Sequence, residues 1–189
     1  MIEIINAHEI ICDTNEVLRY LGFPRGKSDE NTLKLIEECK EDLIKQINLK
    51  ACVKRVKITI CGDEIDLGFK VKSKALSKNL EGCDEAVLFC ATIGAAADRM
   101  ILKYVKTEPS RAVVYDAVAS DIIEQFCKYI NGLYKGKPRF SCGFGDFGLS
   151  YQHYFIEQLD TARKIGVTLT EGNLMLPTKS VTAVIGIKH

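Results

Sequence analysis

The chain has 189 residues, of which 26 are Lys or Arg and 25 are Asp or Glu, so its formal net charge is +1. This balance gives no broad cationic surface of the kind that recruits nucleic acid or anionic lipid, so we expect neither a nucleic-acid nor a membrane partner. The length suits one compact unit over 1–189, with an N-terminal helical part over about 1–50 and an α+β core over about 51–189.

The first residues, MIEIINAHEI, lack the basic stretch, the long apolar stretch and the small-residue cleavage site of a secretion signal. The sequence also contains no apolar run near the roughly 20 residues that span a membrane. We therefore expect a cytoplasmic protein, and we expect most of its eight cysteines to be buried, reduced thiols. The cysteines form no CxxC pair and no zinc-type spacing with the three histidines, so we expect no metal site.

Two helices are predicted near the N-terminus. Asp13, with Glu16 three residues later, predicts the start of a short helix, which Gly22 and Pro24 should end. A second helix is predicted over 29–49, because apolar residues recur there at helical spacing and charges occupy the other face.

The pattern then changes to alternation with a period of two, which is typical of strands. The turn residues Gly62 and Asp63 separate two alternating runs, so the pattern predicts an antiparallel hairpin. Next, SKALSKNL predicts a short helix, and EAVLFCATIG predicts a buried strand that stops at Gly94. The alternating apolar positions are Val56, Ile58 and Ile60 in the first run and Ile65, Leu67, Phe69 and Val71 in the second.

The second half of the chain predicts further helices and strands. Helices are expected over about 95–105 and 110–130, the second opened by Pro109, and another begins at Ser150. Two short strands are expected around the turn residues 171–173, and SVTAVIGI forms a last strand. Because strands and helices do not alternate regularly, we predict an α+β fold with a largely antiparallel sheet and flanking helices.

Between two predicted helices lies the stretch RFSCGFGDFGLSYQ, residues 139–152. Gly143 and Gly145 flank Phe144, and such a turn lets the backbone adopt positive φ and approach a ligand closely. The stretch is not a P-loop, because it lacks the GK[ST] ending, and its spacing is not that of the dinucleotide fingerprint. From these residues alone, a ligand-binding loop and a purely structural turn both remain open.

Five segments, taken in order, resemble one known family: VLRYLGF, DEAVLFCATIGAAAD, YDAVASDIIE, RFSCGFGDFGLSYQ and GVTLTEGNLMLPTKSVTAVIG. Together they resemble the activation domain of cobalamin-dependent methionine synthase, and more closely its free-standing, short bacterial form. The family signature is an Arg-x-x-Pro-Gly-Tyr turn followed by an LTE…M.P..SV segment. The matching residues here are Arg139, Gly143, Leu169, Thr170, Glu171, Met175, Pro177, Ser180 and Val181.

The resemblance implies a curved α+β domain that binds S-adenosylmethionine and docks on a corrinoid-carrying module. Such a module supports the reductive methylation of cob(II)alamin to methylcobalamin, with an electron typically from flavodoxin and the methyl group from S-adenosylmethionine. The implied partners are cobalamin-dependent methionine synthase or another corrinoid protein, which carries the cobalamin, and a flavodoxin-like electron donor. Since the cofactors carry this chemistry, the chain acts only in concert with the methyltransferase system and no catalytic residue is assigned.

The resemblance assigns S-adenosylmethionine binding to the turn, and Arg139 there suits the methionine carboxylate. Structural alternatives stay open: Arg139 neutralises a helix C-terminus or pairs with an acid on the surface, Phe144 packs on the core instead of stacking on adenine, and Asp146 accepts backbone N–H groups instead of ribose hydroxyls. We expect Cys142 to be a turn residue with an inert thiol. The assigned residues are Arg139, Ser141, Cys142, Gly143, Phe144, Gly145 and Asp146.

The chain also departs from the family pattern. Cys142, Gly143 and Phe144 replace Pro-Gly-Tyr, the NGLYKGKP segment before Arg139 has no acidic residue, and VTAVIG has no tyrosine. A non-catalytic docking module for a corrinoid methyltransferase, which does not use S-adenosylmethionine, is therefore the alternative hypothesis. A Rossmann-type methyltransferase fits poorly, because the strand-helix alternation and an early glycine-rich loop are missing.

Overall fold

The computed structural model describes residues 1–7, 9–23 and 28–188. The first half contains β1 (Ile2–Ala7), α1 (Thr14–Tyr20), α2 (Glu30–Ile44), β2 (Leu49–Lys57), β3 (Thr59–Cys61), β4 (Glu64–Asp66), β5 (Lys70–Lys72), α3 (Lys74–Leu80) and β6 (Glu85–Thr92). The second half contains α4 (Ala96–Tyr104), α5 (Pro109–Tyr134), β7 (Phe140–Ser141), a 3₁₀ turn (Leu149–Tyr151), α6 (Gln152–Leu159), α7 (Thr161–Ile165), β8 (Thr168–Leu169), β9 (Met175–Leu176) and β10 (Ser180–Ile187).

The central sheet has five antiparallel strands in the order β1-β2-β6-β10-β7. Strand β6 lies in the middle and pairs along its whole length with β2 on one side and β10 on the other. Its residues 86–92 are all buried, which explains why EAVLFCATIG is apolar throughout instead of alternating. The predicted α+β fold with a largely antiparallel sheet is confirmed.

Alternating side chains of the sheet pack into two apolar clusters, one on each face. Val87 and Phe89 of β6 belong to the cluster formed with α1, α2, α4 and α5. Ala86 and Leu88 belong to the other cluster, formed with α3, α6 and the three short strands β3, β4 and β5. The sheet is therefore covered by helices on both faces.

The first two helices begin as predicted but end differently. The Asp13 side chain accepts a hydrogen bond from Asn15 N at the start of α1, and Gly22 follows this helix with a φ of +80°. Pro24 lies outside the described residues. Helix α2 ends at Ile44 instead of residue 49, and the chain then joins the sheet, because Asn48 N donates to Ile93 O at 2.9 Å.

Strand β1 corrects the prediction of a helical part over about 1–50. Its residues pair with β2, with Ile2 opposite Lys54 and Ala7 opposite Leu49. The two N-terminal helices occupy only residues 14–44, and strands lie on either side of them. The chain thus enters the central sheet before its first helix.

The predicted hairpin around Gly62 and Asp63 is confirmed as β3 and β4, but both of its arms are interrupted. Ile58 N donates to Asp84 O at 2.9 Å, and this residue separates β2 from β3. Gly68 adopts a φ of +84° and separates β4 from β5. The result is a separate three-stranded antiparallel sheet, β3-β4-β5.

Helix α5 is 26 residues long and opens at Pro109 as predicted. Beyond its end Lys135 is left-handed, with a φ of 47°, and Lys137 N donates to Gly186 O of β10 at 2.8 Å. Gly136 lies so close to β10 that a Cβ atom there would be 2.5 Å from Ile185 Cγ2. This close approach returns the chain along α5 and places Arg139 beside that helix. None of the helices in the described ranges is long and apolar enough to cross a membrane.

Candidate functional site

The glycine-rich turn between β7 and the 3₁₀ turn is closed by its own backbone. Gly143 N donates to Phe147 O at 2.7 Å, and Phe144 N donates to Ser141 O at 3.1 Å. Gly143 and Gly145 have φ values of +94° and +55°, a region that side-chain-bearing residues rarely adopt. Phe147 is fully buried, whereas Phe144 is 48% exposed. The stretch is therefore a tight structural turn that presents one aromatic ring at the surface.

Arg139 is held by three neighbours. Its Nη1 donates to Ser141 Oγ at 2.7 Å, and its Nη2 forms an ion pair with Glu124 Oε2 of α5. Its backbone N–H donates to Asn131 Oδ1 at 2.7 Å. The side chain is only 14% exposed, so the guanidinium is fixed before any ligand binds. Arg139 thus pairs with a carboxylate inside α5 instead of neutralising a helix C-terminus.

Glu124 is a site residue that the sequence analysis missed, since it searched for an acid shortly before Arg139. The carboxylate comes from 15 residues earlier in the chain. It reaches Arg139 because the chain reverses after α5. A signal was present in the helical spacing, because Glu124 and Asn131 are seven residues apart and so lie on one face of α5.

Gly145 and Asp146 hold the turn against α3. Asp146 accepts hydrogen bonds from Ser73 Oγ at 2.5 Å, Lys74 N at 2.8 Å and Ala75 N at 3.0 Å. A Cβ atom on Gly145 would lie 2.9 Å from Ala75 Cβ. These contacts favour a structural role for both residues over the expected ligand role. Asp146 caps the N-terminus of α3, a helix that is distant from it in the sequence.

Hydrogen bonds from the Ser73 hydroxyl, Ala75 N–H and Lys74 N–H lower the pKa of Asp146 below its ordinary value of 3.8. Since the pKa of Asp146 is lower in the folded state than in the unfolded state, the ionised carboxylate stabilises the fold fully above the unfolded-state pKa. This contribution disappears as the pH falls through the folded-state pKa. We expect Asp146→Asn to lower the melting temperature at pH 7 by several degrees. It should also flatten the loss of stability between about pH 5 and 2 in scanning calorimetry.

Asp63→Asn is the matched control, because Asp63 is exposed and its ion pair with Lys72 is long, with 3.8 Å between Lys72 Nζ and Asp63 Oδ2. This variant should keep both the melting temperature and the pH dependence of the wild type. A pH profile of Asp146→Asn identical to that of the wild type would contradict the role assigned to this carboxylate.

Cys142 lies on the inner side of the turn and is 8% exposed. Burial raises the pKa of its thiol to about 12, so little reactive thiolate is present at neutral pH. We expect iodoacetamide at pH 8 to leave Cys142 of the folded protein unmodified while it alkylates the exposed Cys61. Peptide mass spectrometry after timed quenching measures both rates. Equal alkylation of the two cysteines would refute the inert-thiol interpretation.

A cavity of about 220 Å³ lies where α5, the turn, α6, β9 and β10 meet. Four of the seven predicted ligand residues line it, together with three residues of the LTE…M.P..SV segment and three residues that belong to neither of these two sets. Glu171 lies in the exposed turn between β8 and β9, so that part of the segment does not reach the cavity. The lining residues are Arg139, Ser141, Cys142 and Phe144, then Met175, Ser180 and Val181, then Glu124, Gln152 and Thr182.

An open groove of about 530 Å³ lies on the other side of Arg139 and Phe144, which line both spaces. Small-molecule sites in proteins usually have volumes of about 300–1,000 Å³. The cavity alone falls below this range, whereas the cavity and the groove together fall within it. The groove is further lined by Lys128, Asn131, Gly132, Gly136 and Pro138. A separate cavity of about 250 Å³ near Asn6 and Asn48 contains none of the predicted site residues.

The central antiparallel sheet, the helices on both of its faces and the turn beside the cavity define an α+β fold of the methionine synthase reactivation-domain class. The chain is similar to a crystal structure of the MetH reactivation domain bound to AdoHcy. The TM-score is 0.76 at 14% sequence identity, and the match covers 98% of this chain and 78% of that chain. No known protein family and no curated protein matches the sequence. The similarity therefore establishes the fold.

Proposed function

We propose that the chain binds S-adenosylmethionine beside Arg139 and acts as a reactivation module for a cobalamin-dependent methionine synthase or another corrinoid protein. The observation that carries this proposal is the half-buried Arg139–Glu124 pair in the cavity next to the glycine-rich turn. It is supported by the similarity in fold to a reactivation domain whose crystal structure contains AdoHcy.

The residues of the cavity and the groove fit such a ligand. Nη1 and Nη2 of Arg139 each use one donor within the protein, and the guanidinium carries five N–H donors, so three are left for a carboxylate. Phe144 packs edge-on against Phe140, with ring centroids 5.8 Å apart, and its exposed surface can stack on adenine. Ser141 and Cys142 form the wall behind Arg139 and keep the proposed ligand role.

The contribution of the chain is to position the ligand. S-adenosylmethionine supplies a methyl group on a sulfonium, and the reduced cobalt of the partner supplies the electron pair that displaces the thioether. No proton is transferred in this displacement, so it needs no activated thiol, and burial raises the pKa of the Cys142 thiol in this site to about 12. Arg139 fixes the amino-acid end and Phe144 fixes the nucleoside end, so the methyl group is held in one orientation.

The proposed partners are therefore a corrinoid protein that carries the cobalamin and a flavodoxin-like electron donor. The proposed location of the chain, like that of these partners, is the cytoplasm. The experiment combines the protein with a methionine synthase that lacks its own activation domain, a flavodoxin reducing system and S-adenosylmethionine labelled in its methyl group. We expect labelled methylcobalamin to form only when all four components are present. Its formation is measured by the corrinoid absorption spectrum and by the isotope on cobalt.

The docking-module hypothesis is favoured by one observation. Apolar side chains remain exposed on the turn and on the hairpin next to the cavity: Phe144 (48%), Leu149 (47%), Leu174 (65%) and Leu176 (47%). A partner protein could cover them whether or not S-adenosylmethionine is used. If label never reaches cobalt although the two proteins bind each other, the docking module replaces the reactivation module. If label reaches cobalt equally well without the chain, the reactivation assignment is wrong.

A further inference from the structure

Two buried polar side chains of the cavity have no hydrogen-bond partner. Among the described residues, three buried side-chain oxygens are unpaired, those of Asn79, Gln152 and Thr182. Gln152 and Thr182 both line the cavity, and they are 5% and 2% exposed. A buried polar group without a partner loses its hydrogen bonds to water and gains none in return, so two of them in one cavity require a physical explanation.

The local structure directs both side chains toward the same space. Gln152 is the first residue of α6, directly after the 3₁₀ turn that follows the glycine-rich turn. Thr182 lies on β10, and on the same face of this strand Val184 joins the apolar cluster that contains Cys142. The Thr182 hydroxyl lies near the Cys142 thiol, which is a weak hydrogen-bonding group, whereas Gln152 Oε1 has no partner in the protein.

The unpaired groups of the cavity define what it accepts. Arg139 holds Oε2 of Glu124, which leaves Oε1 of this carboxylate as an acceptor. Gln152 Oε1 is a second acceptor, and the Thr182 hydroxyl both donates and accepts. The two acceptors match a ligand group that carries several N–H donors, which is the chemistry of an amine or an ammonium.

We infer that Gln152 is a ligand-contacting residue whose Oε1 accepts a hydrogen bond from an amino group of the ligand, with the Thr182 hydroxyl as a second contact. This inference rests on the proposed function. S-adenosylmethionine and S-adenosylhomocysteine carry two amino groups, one on the adenine and one on the amino-acid part. The cavity of about 220 Å³ holds only one end of such a ligand, so Gln152 meets one of the two.

The first test is calorimetric titration of the full chain with S-adenosylhomocysteine. Gln152→Met keeps the side-chain length and removes the amide, so we expect about 3- to 10-fold weaker binding, the range for one neutral hydrogen bond. The ligand-free variant should melt at a higher temperature than the wild type, because the unpaired oxygen is gone. Valine has nearly the same shape as threonine, so Thr182→Val should also weaken ligand binding and raise the melting temperature of the ligand-free protein.

Gln158→Met is the matched control on the same helix. Gln158 accepts a hydrogen bond from Lys54 Nζ at 2.6 Å and does not line the cavity. This variant should bind like the wild type and melt at a lower temperature. A purely structural role of Gln152 would give the same pattern, a lower melting temperature with unchanged affinity, and would overturn the inference.

Two analogues identify the amino group. S-inosylhomocysteine lacks the adenine amino group, and methylthioadenosine lacks the amino-acid part. The analogue without the group that contacts Gln152 should bind the wild type and Gln152→Met equally well, whereas the other analogue should lose affinity in the variant. If both variants keep the wild-type affinity for S-adenosylhomocysteine, the inference is wrong and the proposed function stands. If the wild type itself does not bind this ligand, both are wrong.

Discussion

Arg139→Ala is expected to weaken the binding of S-adenosylhomocysteine by about 1.5 to 3 kcal/mol, which is about 10- to 150-fold in the dissociation constant. This is the range for a hydrogen bond to a charged group, and the guanidinium meets the ligand carboxylate in the proposed site. The low exposure of the Arg139 side chain, 14%, reduces screening by water and favours the upper part of the range. Calorimetric titration of the two proteins measures the difference.

Arg163→Ala is the matched control for this prediction. Arg163 also forms an ion pair, with Asp160, but its side chain is 84% exposed and it lies outside the cavity. Its removal should leave the affinity within about twofold of the wild type, as expected of an exposed pair. Circular dichroism of Arg139→Ala verifies that the fold persists without the partner of Glu124. An affinity of this variant equal to that of the wild type would place the ligand elsewhere.

Gly136→Ala is expected to lower the free energy of unfolding by about 2 to 3 kcal/mol, a typical cost of overpacking. The added Cβ atom would lie 2.5 Å from Ile185 Cγ2 and 2.6 Å from Gly186 O. The carbonyl oxygen belongs to β10, which pairs at Gly186 with Ala86 of the central strand β6, so the pairing opposes a shift of this backbone. The same oxygen accepts the hydrogen bond from Lys137 N that fixes the return of the chain. Urea unfolding followed by circular dichroism measures the loss.

Gly132→Ala, four residues earlier in the chain, is expected to have the opposite effect and to raise the free energy of unfolding. Gly132 lies in α5, and a Cβ atom there would meet no atom within 4 Å. Alanine is the better helix former by about 1 kcal/mol, so this variant should be more stable than the wild type. If both variants had the same stability, the close packing of Gly136 on β10 could not be the feature that fixes the turn after α5.

The sequence predicted most elements because their hydrophobic periodicity is local. Strand β1 was missed, since it is an edge strand of which Ile4 is 48% exposed and its alternation is weak. The end of α2 was placed too late, because Ile47 continues the helical spacing beyond Ile44. The hydrogen bond from Asn48 N to Ile93 O and the pairing of Leu49 with Ala7 draw the chain into the sheet there, and tertiary contacts of this kind leave no local pattern.

The site was predictable to a similar extent. Gly143 and Gly145 indicated the turn correctly, because positive φ is a local requirement. Glu124 was missed, since its meeting with Arg139 depends on the reversal of the chain after α5. Asp146 is an example of the same limit, because its hydrogen-bond donors lie 71 to 73 residues earlier.

The hydrogen bonds around Arg139 have a consequence for the thermodynamics of binding. A free arginine side chain carries about 2 kcal/mol of rotamer entropy, and here the bonds to Glu124 and Ser141 remove this freedom when the protein folds. A ligand therefore meets a cation that is already ordered and does not lose affinity to its immobilisation. Any ligand that displaced Glu124 or Ser141 from the guanidinium would forfeit this preorganisation, so we expect the proposed site to select ligands that leave the Arg139–Glu124 pair intact.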